Sequence, residues 1–358
     1  MSLSVTRRLS QIACIVAVAG LAACAPPSVK TDLLLPAKQN GMNGVKRIGV
    51  LPLKGDTGER FTSRIQAFIA NINVKNAPYF TLVNVDRKAV MRELKMSDSA
   101  QFDEKTALRL GNLVAADTLF SGSVTPPRVK TTKRLETRTE CKKRVTDKND
   151  PKYGQCLESK TKTVLCFTQN ASFKLTLRSS KVETGTVNFI KDYQGRAKHG
   201  YCLDRGGQRS KEELGEIAVS QVLAELRQDI APYPVTVSID FLDYDEKSRI
   251  GTKQFFFADR KDVKKRFEAA MKNVKGNNTI AGCAGFRDAA ALFDRSPAIY
   301  HNIGVCAEIE ADYDQAETFY RRAKTLSGGA IPTIDVSMAR LAESRRNAAK
   351  VADQMQGK

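Results

Sequence analysis

The chain has 358 residues, 42% of them hydrophobic, with 58 Lys and Arg against 39 Asp and Glu, giving a formal net charge of +19. That length supports two modest domains with a sizeable core, and the charge favours anionic partners. Two histidines in the whole chain leave little from which to build acid–base or nucleophilic catalysis.

The N-terminus opens with Arg7 and Arg8, then an apolar run from Ile12 to Ala23, and Leu21-Ala22-Ala23-Cys24 closes it. The run is short of the ~20 residues a spanning helix needs. A positive start, a short apolar stretch and small residues before cysteine form a bacterial signal peptide with a lipobox. Residues 1–23 are expected to be removed and Cys24 acylated. Ala25, where Asp would signal retention, predicts transfer to the outer membrane, with the protein facing the periplasm. Residues 24–45, with Pro26, Pro27, Pro36, Gly41 and Gly44, read as a flexible tether.

Arg47–Leu53 is an apolar run predicting a buried strand. Gly55-Asp56-Thr57-Gly58 follows it but lacks the lysine and hydroxyl of a phosphate-binding loop, so a tight turn is expected. Phe61, Ile65, Phe68, Ile69 and Ile72 share a helical face. Strands are expected at Phe80–Val85 and Thr118–Val124, with helices at Ala89–Leu94 and Glu104–Leu113 between them.

Residues 128–202 are basic, Thr-rich and contain four cysteines. Between Arg128 and Lys162, twelve Lys or Arg face five Asp or Glu, and Lys142-Lys143-Arg144 stand in succession. This segment could hold an anionic ligand; in a periplasm nucleic acid is not expected, leaving acidic protein or lipid. Phe173–Leu177 alternates as a half-buried strand, and 182–186 reads as a hairpin turn into Val187–Tyr193. Ser210 and Glu213 form a capping box for a helix to about Gln228. Val235–Leu242 is a further strand. From Asp262 onward the pattern is helical, broken at Gly276, Pro297, Gly328-Gly329 and Pro332.

Cys141, Cys156, Cys166, Cys202, Cys283 and Cys306 are even in number and lack zinc-type spacing, so disulfides are expected and no metal or cofactor. Six cysteines allow fifteen pairings. Cys283–Cys306 across a helical hairpin is the favoured pair, the other four pairing among themselves.

Arg47–Leu53, the block Leu110–Asp117 leading into Gly122-Ser123-Val124, and Val182-Glu183-Thr184-Gly185 together resemble the CsgG-like family of curli production and assembly lipoproteins, over about residues 46–232. The resemblance implies an α+β domain, a mixed sheet with packed helices. It also raises a ring-shaped secretion channel, so homo-oligomerisation stays open. Against a pore, charges between Val129 and Val164 read as falling on both parities of the strand, whereas a lipid-facing strand needs one apolar parity.

Tyr300, Ile303, Gly304, Ala307, Ala316, Tyr320 and Ala323 resemble a tetratricopeptide repeat. Phe286 and Ala289 mark a degenerate earlier unit, and a capping helix is expected over Thr333–Gln354 with Ile334, Met338, Leu341, Ala348 and Ala352 inward. The resemblance implies a partner-binding groove at His301, Asn302, Val305 and Glu308. The expected layout is therefore an α/β domain over 46–258 and a helical hairpin stack over 259–358. Asp243 and Asp245 flank Tyr244 as an acidic pair, which reads as solvated loop carboxylates rather than a hydrolase site.

The expected function is that of a non-catalytic scaffold or regulator of another envelope protein, attached to the membrane through Cys24. The alternative is an oligomeric outer-membrane subunit of a CsgG-like export machine. Cys24→Ala should move the protein from the membrane pellet to the soluble periplasmic fraction; retention in the pellet would sink the anchor.

Overall fold

The computed structural model describes residues 27–83, 115–247 and 252–356. Cys24 and the helices expected at Ala89–Leu94 and Glu104–Leu113 lie outside the described residues. In chain order the strands and helices are β1 (Ser28–Leu35), β2 (Arg47–Val50), α1 (Arg60–Ala70), β3 (Asn73–Val74), β4 (Ala77–Pro78), β5 (Thr81–Val83), β6 (Thr118–Arg144), β7 (Cys156–Lys181) and β8 (Val187–Cys202). There follow α2 (Lys211–Ile230), β9 (Tyr233–Asp240), β10 (Glu246–Lys247), β11 (Lys253–Gln254), α3 (Lys261–Lys275), α4 (Thr279–Leu292), α5 (Pro297–Ile309), α6 (Tyr313–Leu326) and α7 (Pro332–Gln356). The fold is α+β. It forms two compact units, one of residues 36–233 with the last C-terminal residues from 352, the other of the residues up to 35 with 234–351.

The first unit is built on a five-stranded mixed sheet in the order β5-β2-β6-β7-β8. β2 is parallel to β5 and β6, while β6, β7 and β8 run antiparallel. One face is apolar because β7 alternates: Phe173, Leu175 and Leu177 are buried, while Ser172 and Lys174 are exposed. Helices α1 and α2 cover that face, with Phe61 of α1 against Phe173 at 5.3 Å between ring centroids. Helix α2 lies so close that a Cβ on Gly195 would sit 1.8 Å from the carbonyl oxygen of Ala218. The Ser210 hydroxyl accepts from the Glu213 amide at 3.0 Å, so the expected N-cap is present. At the start of α1, Asp56 takes the amides of Phe61 (3.1 Å) and Thr62 (2.6 Å). A protein carboxylate therefore occupies the position a phosphate would need, and 55–58 is the expected turn, with Gly55 and Gly58 at positive φ.

Two expectations about organisation are corrected. Residues 28–35 are a strand rather than tether, paired with β9, and Val29, Ala37, Met42 and Val45 are buried. Pro27 and Pro36 flank β1 and leave its amides free to pair. A two-stranded ribbon is held by backbone hydrogen bonds, so weak side-chain alternation concealed it. The boundary between units falls at Tyr233 and Pro234, not 258. Phe241, Leu242 and Phe257, downstream of β9, enter the core of the helical unit.

That second core is aromatic: Phe241, Phe257, Phe267, Phe286 and Tyr320 are all fully buried. Helices pair as α3·α4 and α5·α6, and the Cys283–Cys306 disulfide joins α4 to α5 as expected. Gly304 lets the Tyr320 ring approach to where a Cβ would meet it at 2.7 Å. On α7, Ile334 and Leu341 are buried as expected, but the rest of the buried stripe is Ser337, Ser344, Val351 and Gln354; of the other residues expected inward, Met338 and Ala348 are half-buried and Ala352 is exposed.

Gly195→Ala should destabilise the α/β unit by about 1–3 kcal/mol, because the blocking atom is backbone and cannot rotate away. Thermal unfolding followed by circular dichroism measures it, and an unchanged melting temperature would refute the close approach.

Candidate functional site: a projecting β-arm and a sealed helical groove

Strands β6 and β7 continue well past the sheet that anchors them. β8 pairs with β7 only as far as Cys202 opposite Cys166, so Leu135–Arg144 and Cys156–Leu165 form a two-stranded arm. Ten residues per strand at ~3.4 Å give a reach of about 34 Å. Apart from the Leu203 amide, which donates to the Leu165 carbonyl at 3.0 Å at the base, neither edge of this arm is paired to another strand among the described residues.

A bulge between Thr125 and Arg128, at Pro126-Pro127, sets which side chains face where. It inverts the parity of β6, so Val124 and Val129 both lie on the helix-covered face of the sheet. Continuing outward, that face carries Thr131, Lys133, Leu135, Thr137 and Thr139 from β6. Opposite them stand Gln169, Phe167, Leu165, Thr163 and Thr161 from β7. The other face carries Arg128, Lys130, Arg134, Glu136, Arg138 and Glu140 opposite Ser172, Asn170, Cys166, Val164, Lys162 and Lys160. The expectation of charge on both parities is therefore corrected: of the paired positions from Val129 to Thr139 on the uncharged face, only Lys133 is ionic. The succession at 142–144, beyond Cys141 where the register shifts, gave the contrary impression.

At the base of the arm, Cys166 and Cys202 are directly opposite and disulfide-bonded. Arg138 donates to both carboxylate oxygens of Asp204 (2.9 and 3.0 Å), to Glu136 (3.1 Å) and to Cys202 Sγ (2.7 Å). Glu136, Arg138, Cys166 and Cys202, with Arg134, Arg205 and Gly206, line a cavity of about 430 Å³. Glu136, Cys166 and Cys202 are close enough to suggest a metal cluster. The two sulfurs are bonded to each other, however, so they offer no thiolate. On the uncharged face Phe167 stacks on Tyr201 at 5.1 Å, and Leu135, 73% exposed, shares that face.

At the tip, Cys141–Cys156 closes the hairpin, completing the expected pairing of the four cysteines. Lys142, Lys143 and Arg144 are exposed there, as the sequence requires of a contact surface.

The four positions expected to line a groove behave differently. His301, Asn302, Val305 and Glu308 are all buried and cannot line an open groove. The chain itself fills the space: Asn302 exchanges hydrogen bonds with the backbone of Leu242 (2.8 and 2.9 Å), and His301 Nε2 meets Ser337 of α7 at 2.9 Å. Glu308 accepts from Arg340 of α7 (3.0 and 2.9 Å) and from the Tyr320 hydroxyl (2.7 Å). A buried carboxylate so partnered is a clamp holding α7 down. The partner-binding expectation for these four residues is corrected on that ground. A groove residue and a core residue occupy the same sequence position, and only the packing of α7 separates them.

The acidic pair is likewise structural. Asp245 is buried and accepts from Ser296 Oγ (2.6 Å), the Ala298 amide (2.9 Å) and the Phe256 amide (2.8 Å). Burial raises its pKa above the ordinary carboxylate value, against the pull of those donors. Asp243 is bonded to Lys253 at 2.6 Å. The expectation of solvated loop carboxylates is corrected for Asp245, which anchors the start of α5.

No protein-family model matches this chain, and no curated protein matches it in sequence.

Burial lowers the His301 pKa from 6.5 to about 4, aided by the positive Arg340 and opposed by Asn302. Below pH 6.5 the unfolded chain takes up a proton that the folded chain refuses, so stability is lost as pH falls from 6.5 to about 4. The loss amounts to something on the order of 3 kcal/mol. His301→Gln should flatten this part of the stability profile measured by urea unfolding; an unchanged slope would show that His301 is not held neutral.

Proposed function

We propose that this protein is a non-catalytic lipoprotein of the bacterial envelope, held to the outer membrane through Cys24 and facing the periplasm. Its work is to hold or regulate another envelope protein, with the β-arm as the contact surface. The CsgG-like and tetratricopeptide-like resemblances belong to this reading.

The observation that carries it is the arm. A two-stranded ribbon is marginal by itself, yet this one has open edges beyond its base and a face bearing exposed Leu135 together with the Phe167–Tyr201 stack. Open edges can take an added strand from a partner, and the apolar side chains at the base can fill a pocket on it. The helical unit offers less, because α7 occupies the groove positions.

A second reading, an oligomeric subunit of a CsgG-like export machine, is favoured by the same open edges, since neighbouring arms could pair with each other. Thr137, Thr139, Thr161 and Thr163 weigh against insertion in lipid, where a spanning strand needs ~9–11 residues with an apolar outward face.

A photo-cross-linking residue at position 135 should trap a single envelope protein in cells, whereas one at Val336, exposed on α7, should not. A ladder at multiples of this chain's own mass, with a closed ring in mild detergent, would establish the second reading instead. Absence of any adduct from position 135 would overturn both uses of the arm.

A further inference from the structure

We infer that the tip of the arm is a docking site for an anionic phospholipid surface. The tip, residues 141–162, combines a cluster of free cations with two exposed apolar side chains on a stapled loop.

The loop spends its own acids. Asp147 accepts from the Asn149 amide (2.9 Å) and Asp150 from the Lys152 amide (2.8 Å), so both carboxylates turn to the backbone. Val145 and Gln155 pair through the backbone at 3.0 Å, Gly154 donates to Val145 at 3.0 Å, and the Cys141–Cys156 disulfide closes the strands behind them. Among the described residues Lys143, Lys148 and Lys152 form no ion pair, and Lys142 and Lys162 reach Glu158 and Glu140 only at 3.7 and 3.8 Å. Between them stand Tyr153, 55% exposed, and Leu157, 61% exposed.

The composition selects the occupant. Six lysines and a single arginine supply the positive charge, and Arg144 already donates to the Gly154 carbonyl at 3.1 Å. Lysine is a compact point charge on a flexible stem, unlike arginine, which reads fixed phosphate or carboxylate geometry with a planar fork. Flexible point charges suit a surface of many mobile phosphates. An acidic protein would present fixed carboxylates in one register. Tyrosine and leucine beside such charges match the headgroup boundary, where an amphipathic ring and a short apolar chain both gain. A polybasic segment near an anionic leaflet is attracted within about a Debye length, ~8 Å at physiological salt.

The inference uses the envelope location of the preceding reading only to say which membranes the tip would meet; the assay itself is independent of it. Full-length Cys24→Ala protein, which carries no acyl chain, is sedimented with vesicles of equal parts phosphatidylglycerol and phosphatidylcholine, and with phosphatidylcholine alone. Binding to the anionic vesicles is expected to be at least about tenfold stronger and to weaken as salt is raised. K142E/K143E/R144E should remove most of that preference while leaving the melting temperature unchanged, because all three side chains are exposed. Y153S/L157S should weaken binding several-fold without altering its salt dependence. Equal binding to both vesicles, or no binding at low salt, would each overturn the inference. If Cys24→Ala instead remains in the membrane pellet of cells, the anchor fails while the vesicle result stands by itself.

Discussion

The antiparallel pairing of β6 with β7 is the interaction on which the α/β unit depends. The same two strands form the centre of the sheet and then leave it as the arm. The bulge at Pro126-Pro127 makes the two parts continuous in character, since it shifts β6 by one residue and keeps Val129 and Leu135 on the side of Val124. Without that shift, every side chain beyond Thr125 would change face. Proline suits the place because neither residue has an amide to lose from the ladder.

An isolated ribbon would fray, and the protein restrains this one at both ends. Cys166–Cys202 ties the base to β8 and Cys141–Cys156 closes the tip. Closing a 15-residue loop is worth about 3 kcal/mol through the unfolded chain's lost entropy. Both pairs suit the oxidising compartment proposed for this protein. The charges on the opposite face have a further effect: Arg and Lys along an open strand oppose indiscriminate edge pairing. A partner strand must then bring complementary charge or approach over the Thr-rich side.

The helical unit packs its own last helix over the face of α5. Small residues at Gly304 and Ala316 bring α5 and α6 together around Tyr320. Helix α7 then supplies Ser337 and Arg340 to the His301 and Glu308 side chains that would otherwise face solvent. Glu308 is held by three donors, so removing Arg340 would strand a buried carboxylate rather than expose a usable groove.

The sequence by itself determined the signals that act locally. Alternation in Phe173–Leu177, helical spacing from Phe61 to Ile72, the Ser210 cap and the breaks at Gly276, Pro297 and Pro332 depend on neighbouring residues, and the structure places elements at each. The cysteine count and the helical hairpin likewise led to Cys283–Cys306. Tertiary structure decided what depends on distant partners. β1 exists because β9 lies beside it, and Asp245 is buried because α5 begins on it. His301, Asn302, Val305 and Glu308 are core because α7 and residue 242 pack over them. The arm lies between these cases: its two faces are written in the parity of residues 129–141, but the cross-strand register that assembles them into faces is a property of the folded pair.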